Sequence, residues 1–348
     1  MLIAMRKFLS VMLVLFLVAC NQKKNNIFDA PVWTDDAFES RTVSGTLVDL
    51  GEDKPIGISG IFLCDSIMLM KASVRDFPQQ IHAFSLSDNS LKGRYVAKGR
   101  GDKELLIPII KDRFLPEEQS VYIFDLSKGC SYALDLRESV ASHSTDLAQL
   151  IKLPSGTLDS YPYNGSHLAF IPQAEDYVCT VLDKNGHQEK HISLFPGVSG
   201  IDYFDRLSSA CAVNHTVGHL VMAMCMLPQI NILDLETGGK KTVAVSKEYR
   251  NWERIFSEGT DNRNIYYTSI TKSENGFMAL YSGSTFEEWV KGKDHPHIHI
   301  FDWNGNLLYD ISIAEQLKTI AFDDSTKQLY GVDSNDEIYR YDLTEGVM

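Results

Sequence analysis

The most constraining feature of this sequence is a strand-like segment that recurs six times and ends each time in a hydrophobic residue followed by a turn-forming one. The six pairs are Phe84-Ser85, Leu134-Asp135, Leu182-Asp183, Leu233-Asp234, Phe301-Asp302 and Tyr341-Asp342. Their second members are separated by 50, 48, 51, 68 and 40 residues. A period of about 40 to 50 residues built from short strands is typical of propeller blades. The sequence therefore predicts an all-β fold, a six-bladed β-propeller.

The last repeat shows the strands of one predicted blade. Residues 317–323, 328–333 and 337–343 are three short β-rich runs separated by polar turns. In most other repeats the third run leads through a glycine-containing turn, such as Asp183-Lys184-Asn185-Gly186, into a fourth. Aspartate caps such a turn with its own side chain, and glycine accepts positive φ. We therefore interpret the repeated aspartates as structural.

The two ends of the chain complement each other, because the last repeat lacks a strand and the first repeat is preceded by an extra one. The sixth repeat stops after its third strand, whereas an unassigned strand, Thr42 to Leu50, precedes the first repeat. Propellers close their ring of sheets and so avoid exposed edges. We expect this segment to be the outer strand of the last blade, with Val43 and Leu47 packed against the neighbouring blade.

The N-terminus has the anatomy of a signal peptide. Arg6 and Lys7 precede an uncharged, mostly apolar stretch from Phe8 to Ala19, which is too short to span a bilayer as a helix. The segment Leu17-Val18-Ala19-Cys20 resembles the lipobox of bacterial lipoproteins, in which the cysteine becomes the lipidated first residue. Ordinary secretory cleavage with an incidental Cys20 is the alternative. We predict a signal peptide over residues 1–19, a lipidated flexible tether over 20–38 and the propeller over 39–348.

The charge of the chain limits its partners. The formal net charge is −13, and loss of Arg6 and Lys7 with the signal peptide makes the mature chain more acidic. Such a surface repels phosphate backbones and anionic headgroups, so no nucleic-acid partner is expected. Membrane attachment would then depend on the lipid on Cys20, followed by the polar segment Asn21 to Asn26.

Two parts of the sequence resemble a known family. The segment Ile298-His299-Ile300-Phe301-Asp302-Trp303-Asn304-Gly305, with Phe277 to Gly283 before it and Gln328 to Asp342 after it, resembles the TolB-like six-bladed propeller lipoproteins of Bacteroides-type bacteria. Gly99 to Leu105 is similar to a glycine-rich segment that these proteins carry between blades one and two, although Asp102-Lys103 replaces Pro-Gly. The resemblance implies a six-bladed propeller in the cell envelope and supplies no catalytic residues. The residues after Cys20 lack an acidic export run, so we expect an outer-membrane protein that faces the periplasm.

Two local features are candidate ligand-binding sites. His295, His297 and His299 follow one another at alternate positions, which places His297 and His299 on the same face of a strand, a spacing that can chelate zinc. The fifth repeat is expanded, and it contains Trp252, Arg254 and Trp289 in regions that we predict as long loops. Solvated histidines and packed loops are the competing interpretations. We predict no metal, no cofactor and no catalytic residue from the sequence.

Two functions remain open on the sequence alone. The favoured hypothesis is an envelope lipoprotein that is not an enzyme and uses its propeller to bind or scaffold a protein or glycan. The alternative is a propeller hydrolase or lyase with a metal site in the central channel, because propeller enzymes assemble their sites from single residues on different blades. Carboxylates and histidines that converge at one mouth of the channel would favour the enzyme. A lining of Ser, Thr and apolar side chains would favour the binding module.

Overall fold

The fold is a ring of six β-sheets around a central channel. The computed structural model describes residues 26–28, 30–34, 39–73, 77–113, 119–174, 176–196, 207–246, 249, 252–257, 259, 263–293 and 296–344. The predicted signal peptide and Cys20 lie outside these residues. Across them the strands form six sheets, and the first strands of successive sheets contact one another around the whole ring. The predicted six-bladed β-propeller is confirmed.

The strands are as follows. The N-terminal segment contributes β1 (Val32–Thr34), β2 (Glu39–Thr42) and β3 (Thr46–Val48). Blade 1 has β4 (Gly60–Cys64), β5 (Ile67–Lys71), β6 (Gln79–Ser85), β7 (Leu91–Lys98) and β8 (Glu104–Leu105). Blade 2 has β9 (Pro108–Arg113), β10 (Ser120–Asp125), β11 (Cys130–Asp135) and β12 (Leu147–Lys152), and blade 3 has β13 (Asp159–Tyr163), β14 (Ser166–Gln173), β15 (Asp176–Leu182) and β16 (Gln188–Ser193).

The remaining blades each receive a strand from the N-terminal segment. Blade 4 has β17 (Ser209–Asn214), β18 (His219–Met224), β19 (Gln229–Asp234) and β20 (Lys240–Ala244), and blade 5 has β21 (Asn264–Lys272), β22 (Gly276–Thr285), β23 (His297–Asp302) and β24 (Leu307–Ser312). Blade 6 has β25 (Leu317–Asp323), β26 (Gln328–Asp333) and β27 (Ile338–Asp342). The helices are α1 (Leu136–Ser142), α2 (Trp252–Ser257) and α3 (Phe286–Val290), and a 3₁₀ turn covers Gly51–Asp53.

The ring closes as predicted. Strand β3 pairs antiparallel with β27, with Val48 opposite Ile338 and Thr46 opposite Arg340. The predicted strand is interrupted, however, because Thr42 belongs to β2 and pairs with blade 5. Gly45 lies between the two strands, where a β-carbon would sit 2.9 Å from the Tyr341 ring. Val43 packs between blades 5 and 6 as expected, but Leu47 is 55% exposed, so its predicted packing is wrong.

The predicted tether is shorter than residues 20–38. Strand β1 pairs parallel with β20 of blade 4, and Ile27 and Phe28 are fully buried between blades 3 and 4. Asn26 is also buried, because its Oδ1 accepts from the Phe28 amide at 3.0 Å and its Nδ2 donates to the Ala30 carbonyl at 2.6 Å. The polar composition before Ile27 suggested a solvated segment, but the asparagine caps a turn that inserts two apolar side chains. We name residues 26–48 the N-terminal belt.

Across the described residues the buried apolar side chains form six clusters, one at each interface between neighbouring blades. The repeated aspartates Asp183, Asp234 and Asp302 cap turns between strands, as predicted, whereas Asp135 caps the start of α1. Asp183 accepts from the amides of Asn185 and His187, each at 2.8 Å, and the glycine that follows Asn185 has φ 85°. Asp302 makes the same pair of bonds at 2.9 Å to Asn304 and Asn306.

We expect the N-terminal belt to stabilise the ring through Phe28. Phe28→Ala should cost about 3–5 kcal/mol of unfolding free energy, because it removes a fully buried ring and leaves a cavity between blades 3 and 4. Leu47→Ala on β3 is the control and should stay within about 0.5 kcal/mol. Urea unfolding would measure both. Equal midpoints for the two variants would show that residues 26–28 do not contribute to the ring.

Candidate functional site

The central channel contains a cavity that the described residues enclose. Each blade presents its first strand to the axis, and these six strands pair with a neighbour only on their outer side. They enclose a cavity of about 560 Å³, with lining residues from all six blades. An unpaired strand edge leaves backbone donors and acceptors facing the axis. The wall is therefore polar even where the side chains are apolar.

Hydroxyl groups join two of the first strands across this wall. Ser269 and Thr271 on β21 accept hydrogen bonds from the amides of Ile320 and Phe322 on β25, each at 3.1 Å. The side chains of blade 5 thus satisfy amides on the edge of blade 6. Each hydroxyl keeps its own proton to donate to another acceptor.

The lining is electrically balanced. Its basic side chains are Lys71, Lys111, Arg113 and Lys272, and its acidic side chains are Asp65, Asp112, Asp323 and Asp324. The protein as a whole is strongly acidic, so this balance is local to the channel.

An ion pair crosses the axis. Asp112 on β9 of blade 2 lies 2.5 Å from the Lys272 ammonium, which comes from the end of β21 in blade 5. Blades 2 and 5 are opposite each other in a ring of six, so this pair bridges the channel. The Asp112 side chain is 6% exposed. On its own, burial would raise the pKa of Asp112, but the Lys272 charge and the His215 side chain outweigh burial and hold that pKa below its ordinary value.

A histidine from blade 4 supports the same carboxylate. His215 Nδ1 accepts from the Asn164 amide at 3.2 Å, which places the proton of a neutral imidazole on Nε2. His215 Nε2 faces Asp112 Oδ2 at 3.5 Å, which is long for a hydrogen bond. The imidazole therefore contributes to the electrostatic stabilisation of the Asp112 carboxylate but does not form a short hydrogen bond with it.

A second ion pair lies between blades 2 and 3. The Lys111 ammonium is 2.5 Å from Asp159 and donates to the Tyr161 hydroxyl at 3.1 Å. It also lies 4.3 Å from the centroid of the Tyr161 ring, where a cation–π interaction is favourable. We name Lys111, Asp112, Asp159, Tyr161, His215 and Lys272 the axial cluster.

The cysteines near the channel are poor nucleophiles. All five cysteines of the described residues are free thiols. Burial raises the pKa of Cys211 to about 12, and it raises the pKa of Cys64 to about 11. Both side chains are therefore protonated thiols at neutral pH. Within the part of the chain that the structure describes, no three His, Cys, Asp or Glu side chains are grouped so that they could hold a metal ion.

The expanded fifth repeat places its extra residues on one face of the ring. Connections between successive blades and between the second and third strands of a blade share this face, which we name the loop face. Helix α2 lies in the first kind of connection and α3 in the second, and the Phe286 amide donates to the Arg263 carbonyl at 2.9 Å. Trp252 on α2 and Trp289 on α3 are partly buried against the same apolar cluster, whereas Arg254 is exposed. The structure thus brings these predicted residues into one region, where the tryptophans also have a packing role.

The predicted histidine pair lies inside blade 5. His297 and His299 are both on β23, and Asp310 on β24 lies 2.7 Å from His297 Nδ1 and 3.7 Å from His299 Nε2. The hydrogen bond to Asp310 raises the pKa of His297, while burial lowers the pKa of His299 to about 4. His299 also bonds the Tyr267 hydroxyl at 3.1 Å and stacks on Tyr281. These contacts hold both histidines in place within blade 5. His295 lies outside the described residues.

The axial cluster was not found from the sequence. Its members come from four blades, and no local motif contains them. One signal was present: Lys111, Asp112 and Arg113 are three consecutive charges at the end of a strand that comes first in its repeat. First strands line the axis of a propeller, so such a charged run indicates a polar channel.

No protein-family model matches the chain, and no curated protein matches it. Solved structures share its fold. A member of the DUF4221 family from Bacteroides vulgatus has a TM-score of 0.56 at 9% identity, covering 92% of this chain and 98% of that one. A protein of Bacteroides fragilis predicted to be exported has a TM-score of 0.50 at 10% identity, covering 89% and 98%. The calcium-binding protein regucalcin from Agrobacterium tumefaciens has a TM-score of 0.50 at 10% identity, covering 88% and 95%. At these identities the likeness shows the propeller fold alone.

We expect Lys272→Met to destabilise the protein by about 3 kcal/mol near neutral pH, because it leaves a buried carboxylate without its counter-charge. The double variant Asp112→Asn/Lys272→Met should recover most of the loss. In the unmodified protein the lowered pKa of Asp112 stabilises the fold above the ordinary carboxyl pKa of about 4, and this contribution is lost as the pH falls through the lowered value.

In Lys272→Met, burial should instead raise the pKa of Asp112, so the destabilisation should be smaller at pH 4 than at pH 8. Urea unfolding of the unmodified protein, both single variants and the double variant at the two pH values would measure this. A Lys272→Met penalty that is the same at both pH values would contradict the assignment of this ion pair.

Proposed function

We propose that this protein is a lipid-anchored envelope protein of the TolB-like propeller lipoprotein kind, and that its propeller binds a ligand without transforming it. The observation that carries the proposal is that each acidic side chain of the channel already has a partner within the protein. Asp65 pairs with Arg113 at 2.6 Å, and Asp112 pairs with Lys272. Asp323 accepts from Ser325 and Thr326, and Asp324 accepts from the Glu274 amide at 2.9 Å.

A catalytic base or nucleophile must be able to reach the substrate and exchange a proton. The Asp112 carboxylate is ionised but held by an ammonium group, and the nearby thiols are protonated at neutral pH. The imidazole of His215 is directed at a carboxylate that is already paired. Side chains arranged in this way stabilise the ring and present fixed polar groups, which suits binding.

The predicted lipidation of Cys20 supports location in the envelope. The signal-peptide anatomy before Cys20 and the resemblance to the TolB-like lipoproteins both favour the envelope, and the lack of an acidic run after Cys20 favours an outer-membrane protein that faces the periplasm. None of the helices in the described residues is long and apolar enough to cross a membrane. The five residues 21–25 span at most about 18 Å, so a lipid on Cys20 would hold the rim of blades 3 and 4 near the bilayer.

The loop face carries the proposed contact with an envelope protein or glycan. Helices α2 and α3 project there from two connections of the expanded repeat, and Val290 is 62% exposed beside the partly buried Trp289. An exposed apolar residue next to aromatic and arginine side chains is a common composition for a binding surface.

Cys20→Ser should release the protein from the membrane fraction or leave the precursor uncleaved, because the acidic propeller has little affinity of its own for anionic lipid. Fractionation and palmitate labelling would measure this. A Cys20→Ser protein that still fractionates with membranes and still carries labelled palmitate would rule out this anchor.

Val290→Asp and Arg254→Glu should weaken binding to the envelope ligand at least about tenfold with little change in stability, because both residues are exposed. Leu308→Asp, on an exposed residue at the opposite face of blade 5, is the matched control and should bind normally. Binding would be measured on immobilised envelope glycans and proteins, with mass spectrometry of the bound ligand after incubation. A new product that disappears in Asp112→Asn while binding persists would identify an enzyme and overturn the proposal.

A further inference from the structure

The channel has a chemical character that selects among ligands. Its four basic and four acidic side chains cancel, and its acidic members are engaged by groups of the protein. Three of the basic side chains, Lys111, Arg113 and Lys272, are likewise paired with carboxylates, and burial lowers the pKa of the fourth, Lys71. A small ion entering the channel would therefore lose its hydration and gain little counter-charge in return, which is costly. The wall therefore disfavours both anions and cations of small size.

The same wall offers many neutral hydrogen-bonding groups. Hydroxyl-bearing residues of the lining come from four blades, and they include Ser59, Tyr161, Thr268, Ser269, Thr271 and Thr319. Ser269 and Thr271 each accept a hydrogen bond from an amide of β25, and each hydroxyl can still donate its own proton. At the loop-face end, the Lys71 ammonium donates to Ser59 Oγ at 3.2 Å, and burial lowers the pKa of Lys71. Backbone groups on the free strand edges add further donors and acceptors.

The cavity also has the size of a small-molecule site. Its volume of about 560 Å³ falls within the range of about 300–1,000 Å³ that is typical of ligand pockets. Partly buried apolar side chains such as Phe62 and Ile110 lie between the polar groups and could cover the apolar faces of a ring. The Lys272–Asp112 bridge crosses the channel where β9 and β21 end, on the side opposite the loop face. The loop-face end is therefore the route of entry.

We propose that the channel binds a neutral polyhydroxylated small molecule, namely an uncharged mono- or disaccharide, which donates to and accepts from the hydroxyl groups and strand edges of the first strands. This inference rests on the proposed binding function and deepens it, because it assigns a glycan class to a site distinct from the loop-face patch of α2 and α3.

Gly60 provides a means of blocking the channel. It lies in the lining at the start of β4, and a β-carbon built there meets no atom within 4 Å. A phenylalanine at this position would therefore occupy the channel without a clash at its β-carbon, and it would replace a glycine whose strand propensity is poor. Gly259 is the matched control, because its β-carbon also meets open space and it lies exposed in the connection between blades 4 and 5.

The test measures binding of glucose, galactose, maltose and lactose to the purified mature chain by calorimetry. Gluconate, glucosamine and glucose 6-phosphate are the charged counterparts. At least one neutral sugar should bind, Gly60→Phe should weaken it at least about tenfold by filling the site, and Gly259→Phe should leave it unchanged. Thermal melting of each variant without sugar checks its folding. Ser59→Phe, at an exposed lining position, replaces Gly60→Phe if that variant does not fold.

Three results would overturn the inference. They are equal binding of the charged counterparts, no binding of any neutral sugar by the folded protein, and sugar binding that a folded Gly60→Phe variant retains. None of these results depends on the loop-face variants Val290→Asp and Arg254→Glu, which test the proposed function through binding of the envelope ligand. Failure of the sugar site and failure of the proposed function therefore give different results.

Discussion

The whole molecule depends on one pairing between its two ends. Strand β3 completes blade 6 by lying against β27, and this joins residues that are about 290 positions apart. The entropy of closing so long a loop grows only slowly with its length, so a short ladder can hold it when other contacts assist. Those contacts are present at the seam between blades 6 and 1. Asp336 accepts from the amides of Gly57 and Ile58 and pairs with Lys318 at 2.6 Å, while Lys54 pairs with Glu337 at 2.7 Å.

The closed ring determines where charge can be placed. Successive side chains of a strand point to opposite sides of its sheet, and in a propeller each side faces another blade. On β18, for example, Leu220 and Met222 pack toward blade 3, whereas Val221 and Ala223 pack toward blade 5. A middle strand such as β18 therefore has a nearly continuous apolar sequence. The Lys272–Asp112 pair joins two first strands, and it can form only because closure brings opposite blades face to face.

The sequence predicted what is local and periodic. Blade number, the structural aspartates and the closing strand followed from a repeated turn and from deficits at the two ends, and the structure has all three. The first part of the N-terminal belt, before Glu39, was missed because Ile27 and Phe28 are only two apolar residues, and their burial depends on a gap between blades 3 and 4 that composition does not reveal. Trp252, Arg254 and Trp289, which the sequence placed in long loops, lie on the short helices α2 and α3 within two connections of the expanded repeat. The axial cluster could not be, because the proximity of Asp112, His215 and Lys272 is a property of the closed ring.

The N-terminal belt has a consequence for biosynthesis. Strands β1, β2 and β3 are made first, yet their partners on blades 4, 5 and 6 are made later, and β27 is made almost last. During synthesis the belt must therefore remain without its native partners until blades 4, 5 and 6 have been made. Strands of three or four residues, with a polar sequence such as Glu39 to Thr42, are poor templates for pairing with other chains. The brevity of these strands thus suits a chain whose first strands are made long before their partners.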